Sequence, residues 1–295
     1  MSRRSVLSDT QWEMIQPLLP AQRPWSGRPR RDHRQVVEGI IYRYRCGIAW
    51  RDLPADFGPW QTVWKRHRAW AVDGTWDQVL DALLVRADAD GDLDWSVAVD
   101  STICRAHQHG TTLERTTGAQ WNHKNLRVEP ADHALGRSRG GLSTKIHQLV
   151  DGHGLPLVIL CGPGQGGDSP MLAPLLDALS VARKGPGRPR TRPDMLRGDK
   201  AYSSRATRQT LRRRGIKAVI PEPSDQQQHR RNRGSRGGRP VGLDMEAYRG
   251  RNVIERGYSD VKQWRGLATR YDKLGLTYRA GAVLRAIIQW LNHLV

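Results

Sequence analysis

The 295-residue chain has one phenylalanine, three cysteines and no apolar run near the roughly 20 residues that span a bilayer. Each shortage excludes something. Cys46, Cys104 and Cys161 lie far apart and form no C-x-x-C pair, which argues against a disulfide framework and against a cysteine zinc site. They read as reduced, partly buried thiols. The opening MSRRSVLSDTQWEMI is basic and then at once polar, without the apolar centre of an export signal, so the expected location is the cytoplasm, with no membrane partner. Acidic residues are also scarce: 29 Asp and Glu stand against 48 Lys and Arg, a formal charge of +19. A surplus of that size favours a polyanionic partner, nucleic acid foremost. Aromatic weight falls instead on eleven Trp, most of them on helical apolar faces and expected in the core.

Residues 1–88 read as a small helical domain. Ser8 can cap a first helix carrying Trp12 and Ile15. Asp32 can cap a second with the stripe Val36, Val37, Ile40, Ile41 and Tyr44, stopped at Gly47. A third starts near Trp60 and sets Trp60, Val63, Trp64, His67 and Ala71 on one face, and a fourth carries Trp76, Val79, Leu80, Leu83 and Leu84. The acidic stretch that follows reads as a linker, 89–94. From Trp95 the texture changes. WSVAVD has the length and Val content of a buried strand ending at Asp100, and two further strands at about 142–150 and 155–161 flank the turn DGHG, where Asp151 serves the turn. A helix from Ser169, a short strand up to Asp199, another helix and the strand IKAVIP follow. That order predicts an α/β core with a mixed sheet over 95–295. Residues 222–245 are polar, Arg-rich and of low complexity, and read as a flexible basic insertion without secondary structure, its arginines at 229–239 binding phosphate. Helical periodicity resumes at Asp244 and closes the chain.

In so basic a protein three carboxylates stand where a fold would display them. Asp100 and Asp199 end predicted strands, and Glu255 lies on a helix after the insertion. Converging carboxylates can hold two Mg²⁺ ions about 4 Å apart for phosphoryl transfer. Acidic residues at strand ends also simply cap helices or face water, and spacing alone leaves both readings open. Asp168, before a helix, is a fourth carboxylate, expected to cap that helix. Tyr248, Arg251, Glu255 and Lys262 are spaced to share one face of a helix. An Arg251–Glu255 surface pair is the plain account of that face. The functional account makes Glu255 a metal ligand, Arg251 and Lys262 phosphate contacts, and Tyr248 a DNA contact.

The pattern Y-x2-R-x3-E-x6-K formed by these four residues resembles the C-terminal signature of bacterial insertion-sequence transposases with a DDE triad. VAVDST around Asp100 and RGDKAY around Asp199 resemble the family's two aspartate motifs. The texts QWEMIQPLLP, GRPRRDHRQVVEGIIYRYRCGIAWRDLPADFGPW and GRSRGGLSTKIH are similar to the insertion sequence five family. The resemblance implies a ribonuclease H-like catalytic core behind a helix-turn-helix-like front domain. It also implies a metal triad of Asp100, Asp199 and Glu255 with two Mg²⁺, Mn²⁺ substituting. The implied activity is binding of terminal inverted repeats, DNA strand cleavage and strand transfer into target DNA, by a bacterial, nucleoid-associated protein paired at least as a homodimer. A non-catalytic DNA-binding repressor and a stand-alone metal-dependent endonuclease are the other readings of such a chain.

Within the front domain the third helix offers Gln61, Thr62, Lys65, Arg66 and Arg68 to a DNA groove. The tetrapeptide GRPR occurs at 27–30 and 187–190, and Arg28 and Arg30 of the first copy can enter a minor groove. Trp121 and Trp264, beside basic residues, are candidates for base stacking. His107, His109, His123 and His133 read as polar or DNA-facing rather than as a zinc site.

Overall fold

The computed structural model describes residues 6–22, 31–114, 118 and 128–295. Its first helix, α1 (Asp9–Ile15), starts in a capping box in which Ser8 Oγ accepts from Gln11 N and the Gln11 side chain accepts from Ser8 N. Helix α2 (His33–Cys46) is capped by Asp32 and ends at Gly47, whose φ of 67° a residue with a side chain adopts only with strain. Helices α3 (Trp60–Val72) and α4 (Thr75–Asp90) complete the N-terminal group. Helix α4 runs into the stretch read as linker and stops at Gly91, with Asp88 accepting from Trp95 Nε1 at 2.7 Å. The joint between α2 and α3, residues 47–59, holds two 3₁₀ turns, a longer connection than the short turn of a helix-turn-helix.

Strand β1 (Ser96–Ala106) is followed by the short β2 (Gly136–Ser138) and the hairpin of β3 (Gly141–Val150) and β4 (Pro156–Pro163). Asp151 makes the hairpin turn, accepting from the N–H groups of His153 and Leu155. Then come α5 (Leu172–Ala178), β5 (Met195–Arg197), α6 (Arg205–Arg213) and β6 (Lys217–Val219). Helix α7 (Ser224–Asn232) occupies the stretch expected to lack secondary structure. Pro223 precedes it, Asp225 lies in its first turn and His229, Arg230 and Arg231 in its last, the charge order that a helix dipole favours; Arg230 also pairs with Glu222. The chain closes with α8 (Met245–Arg249), α9 (Asn252–Gln263), α10 (Arg265–Ala268), β7 (Thr269–Arg270) and α11 (Gly275–Leu294).

Strands β1, β3 and β4 form an antiparallel meander, while β5 and β6 continue the sheet parallel to β1 on its other side. The order β4-β3-β1-β5-β6, with only β3 reversed, is that of a ribonuclease H-like α/β core. Its apolar contacts run without interruption into the N-terminal helices, because α11 packs on α3 and α4. A buried polar network fixes that seat. Trp76 Nε1 donates to His67 Nδ1, which leaves the other ring nitrogen protonated and facing Thr277 O at 3.2 Å; Tyr44 Oη donates to the same oxygen at 3.0 Å. Burial pushes the His67 pKa down to about 4, so the ring stays neutral.

The seat has no spare room at Gly281, where a Cβ would lie 2.4 Å from the Tyr44 ring. Gly281→Ala is expected to force Tyr44 aside, disturb its bond to Thr277 and cost about 1–3 kcal/mol. Denaturant unfolding measures this, and an unchanged midpoint would mean that α11 does not lock onto α2 in this way.

Candidate active site

Strand β1 does not end at Asp100, as the sequence suggested, but continues six residues further to Ala106. What ends there is its neighbour. Strand β5 pairs with β1 only through Ala98↔Arg197, and β7 takes up the same edge only at Arg105↔Thr269. Asp100 and Asp199 each lie two residues beyond the last paired positions of parallel strands, so their side chains leave the same face at the opening of that gap. Ser101 N donates to Asp100 Oδ1 at 2.7 Å, and Asp199 accepts from Ala201 N at 2.9 Å, capping a 3₁₀ turn. Burial raises the Asp100 pKa, with the nearby charges of Asp199 and Asp168 adding to the rise; the Ser101 N–H and Arg251 oppose it.

Glu255 reaches this edge on α9. Ile254 and Tyr258 are buried against Ala98 and Val150, and Tyr258 Oη donates to the main-chain oxygen of Asp100 at 2.6 Å. The four residues of the Tyr-Arg-Glu-Lys pattern do not share one helix, however. Tyr248 belongs to α8, the chain breaks at Gly250, and Arg251 precedes α9, which carries Glu255 and Lys262. A Cβ at Gly250 would lie 2.9 Å from Arg197 Cζ, so the chain passes close to the β5 arginine at this turn. Released from the helix, Arg251 donates Nη1 to Asp100 at 3.2 Å and Nη2 to Glu255, with Tyr248 beside its guanidinium at 5.9 Å. Its bond to Glu255 raises the Arg251 pKa against the effect of burial. The plain Arg251–Glu255 pair is therefore present, and the same guanidinium ties Glu255 to Asp100. Lys262 is exposed two turns along α9.

Asp168 does not cap the helix that follows it. Its carboxylate accepts from Ser101 Oγ at 2.6 Å and from Lys145 Nζ at 2.8 Å, and His147 Nδ1 is 3.8 Å away. Burial works against the charge, but the Lys145 and Ser101 bonds outweigh it and hold the Asp168 pKa low. Burial lowers that of His147 to about 4. Ser101 pairs with His147 across the β1–β3 ladder, whereas Asp100 pairs with Gln148, so this network lies behind the face that carries Asp100. Lys145 and His147, two residues apart on one face of the strand LSTKIHQLV, were the cue in the sequence.

A purely carboxylate donor set suits a hard divalent cation, and the mutual repulsion of Asp100 and Asp199 is relieved by one. As the side chains stand, no three carboxylates, imidazoles or thiolates among the described residues are grouped to hold an ion. The chemistry fits, and completing the set requires the half-exposed Glu255 to turn from Arg251.

Among the front-domain residues, Gln61, Lys65 and Arg68 are exposed along α3 and Thr62 is partly covered. Arg66 is turned inward, with Nη1 3.2 Å from His33 Nδ1 and its guanidinium over Trp70. Arg28, Arg30, Trp121 and His123 lie outside the described residues. In the second GRPR copy Arg190 is held over Trp95 at 4.1 Å and pairs with Asp194, a structural role. Trp264 is buried beneath Arg285, which removes it as a base-stacking candidate. His107 stacks between His109 and Tyr271, while His133 is buried against Glu129.

Two family descriptions match the chain: "Putative transposase of IS4/5 family" over residues 7–80 and "Transposase DDE domain" over residues 92–287. Among curated relatives, an "Insertion element IS402 uncharacterized 16.2 kDa protein" of Burkholderia cepacia is 36% identical over 120 residues, 38% of this chain and 82% of the relative. "Uncharacterized protein y4sN" of Sinorhizobium fredii is 36% identical over 114 residues, 39% of this chain and 87% of the relative. A "Putative transposase for insertion sequence element IS402", again of Burkholderia cepacia, is 30% identical over 154 residues, 52% of this chain and 63% of the relative. No solved structure matches the chain. The match over residues 92–287 takes in Asp100, Asp199 and Glu255 together with every strand of the sheet, and the chain belongs to the insertion-sequence transposases with a DDE domain.

Proposed function

We propose that the protein binds the terminal inverted repeats of its own insertion sequence and catalyses cleavage and strand transfer at their ends. Asp100, Asp199 and Glu255 serve as its catalytic carboxylates. The observation that carries this is the pair of strand aspartates at the gap between β5 and β7, with Glu255 drawn to Asp100 through Arg251. When bound there, Mg²⁺, or Mn²⁺ in its place, would activate an attacking oxygen and stabilise the leaving one. The residues themselves do the positioning. The Ser101 N–H orients Asp100, the Ala201 N–H orients Asp199, and Tyr258 fixes α9 against β1. A DNA phosphate is a bidentate acceptor for Arg251, so an arriving end competes with Asp100 and Glu255 for the guanidinium and leaves Glu255 able to turn toward the aspartates. Lys262 and Tyr248 flank the same path.

End recognition falls to α3, through Gln61, Thr62, Lys65 and Arg68, with Arg66 supporting that helix from within and Arg28 and Arg30 as the minor-groove arm. Pairing of two ends calls for at least a homodimer, acting in the cytoplasm at the nucleoid. The DNA bordering the gene supplies the substrate: short inverted repeats there, bounded by direct repeats, identify the ends.

On duplexes carrying those ends, Asp100→Asn, Asp199→Asn and Glu255→Gln are each expected to slow metal-dependent strand cleavage by at least about a thousandfold, equivalent to ~4 kcal/mol of barrier, with duplex binding retained. Cleavage at the wild-type rate by any of the three removes that residue from the site. Arg251→Ala and Lys262→Ala are expected to weaken end binding and each to flatten the slope of log affinity against log salt by about 0.9. A salt titration followed by fluorescence anisotropy measures this, and an unchanged slope rules out the phosphate contact.

A further inference from the structure

Among the described Trp residues, three sit at the margin of the core. Trp50, Trp60 and Trp64 are each only partly covered, and with Tyr271 they line one concave opening of about 860 Å³ between the N-terminal helices and the segment after β7. A volume of that size suits a ligand of several rings. Trp70, on the same helix α3 as Trp60 and Trp64, is by contrast fully buried. The walls are apolar, but the rim is cationic. Arg51 lies over the Trp60 ring at 5.8 Å and Arg68 over the Trp64 ring at 5.7 Å, both exposed, and exposed Lys273 adds a third positive charge. The one carboxylate in the lining, Asp272, is buried and neutralised by Arg43 at 2.7 Å. The surface thus presents aromatic faces with exposed cations above them and, among the described lining residues, no free negative charge.

We infer that this cleft binds unpaired bases of a DNA strand, stacking them on Trp60 and Trp64 while Arg51, Arg68 and Lys273 meet the phosphates. The inference rests on DNA being the substrate. The chemistry favours a single strand over other anions, because a simple polyanion has no use for four aromatic rings, and an apolar peptide has none for the cationic rim. A base entering between Arg68 and Trp64 replaces a cation–π contact with a stacked one and leaves the guanidinium free for a phosphate. The position also suits a strand leaving the candidate active site. Tyr271 follows β7, which pairs with β1 at Arg105 and Ala106, so it lies beside His107, seven residues from Asp100, or roughly 24 Å along the chain. A stacked DNA strand covers that distance in about seven nucleotides at ~3.4 Å each. Arg68, assigned above to a groove at the exposed face of α3, stands at the junction of that face and the cleft.

The test uses the full chain, a dye-labelled short oligothymidylate and an abasic strand of the same length, with binding read by fluorescence anisotropy at fixed salt. Wild type should prefer the oligothymidylate over the abasic strand by about tenfold, the equivalent of one stacked base. Trp64→Ala should lose that preference and Trp64→Phe retain most of it, while affinity for a fully paired duplex changes little. Equal wild-type affinity for the two strands overturns the proposal without reference to any variant, as does a folded Trp64→Ala protein that keeps the preference. Cleavage of end-bearing duplex by wild type, measured separately, distinguishes the two failures: cleavage without base preference removes the cleft alone, and base preference without cleavage removes the catalytic reading alone.

Discussion

The hydrogen bond from Tyr258 Oη to the main-chain oxygen of Asp100 is the contact on which the candidate site depends. It joins the two elements that the chain must bring together across 158 residues, a central strand and a late helix. Burial holds the Tyr258 phenol protonated, so the group is a donor at any working pH. Ile254 and Tyr258, one turn apart, seat α9 on Ala98 and Val150, and this fixes the rotation of the helix as well as its distance. Because each residue turns an α-helix by about 100°, Glu255 emerges at the rim beside Asp100 only in this rotation. A helix seated one residue out of phase would bury the carboxylate or turn it to solvent.

Electrostatics then limits what the site can hold. At 4 Å, two like charges near a protein surface repel by about 4 kcal/mol, so carboxylates cannot be gathered on one strand edge without cations. The molecule answers differently on the two faces of β1. Behind the strand, Asp168 takes a dedicated partner in Lys145, at 2.8 Å and largely shielded from water. On the α9 face Asp100 and Glu255 share Arg251, and among the described residues Asp199 has no ion pair. The back face is satisfied by the chain itself, whereas the front face has a cation on loan from a residue whose guanidinium also suits phosphate. In a protein of net charge +19 that contrast does not come from a shortage of basic residues.

Much of this was legible in the sequence because it is periodic. The caps at Ser8 and Asp32, the stop at Gly47 and the hairpin turn at Asp151 follow from residue chemistry over a few positions, and the structure has each of them. The misreadings came from partners distant in sequence. Asp100 looked like a strand end, but β1 runs on beside the long β3, and it is the brevity of β5 that opens its edge; a strand's own residues do not report the length of its neighbour. The Tyr-Arg-Glu-Lys spacing fits a continuous helix, but a turn at Gly250 and Arg251, where the chain passes close to Arg197, divides it in two. Asp168 precedes a helix as a capping residue would, yet a lysine on β3 and a serine on β1 claim its carboxylate. Arg66 was read as DNA-facing from its place on α3 and Trp264 from its basic neighbours; Arg66 is held over Trp70 and Trp264 is buried beneath Arg285.

The gap on the β1 edge carries the last step. Between Ala98 and Arg105 the strand has ladder partners on the β3 side only, because β5 has stopped and β7 has not begun. Main-chain groups on an unpaired edge need other partners or water. Here a side chain steps in: Tyr258 takes the Asp100 oxygen, and Ser101 serves both faces at once, its N–H holding the Asp100 carboxylate and its hydroxyl holding Asp168. The interruption that opens the edge of the central strand is thus also where side chains brace it. An acid placed at a sheet's outer edge would need no such bracing, but it would also lack the partial burial and the neighbouring strand aspartate that give Asp100 its character.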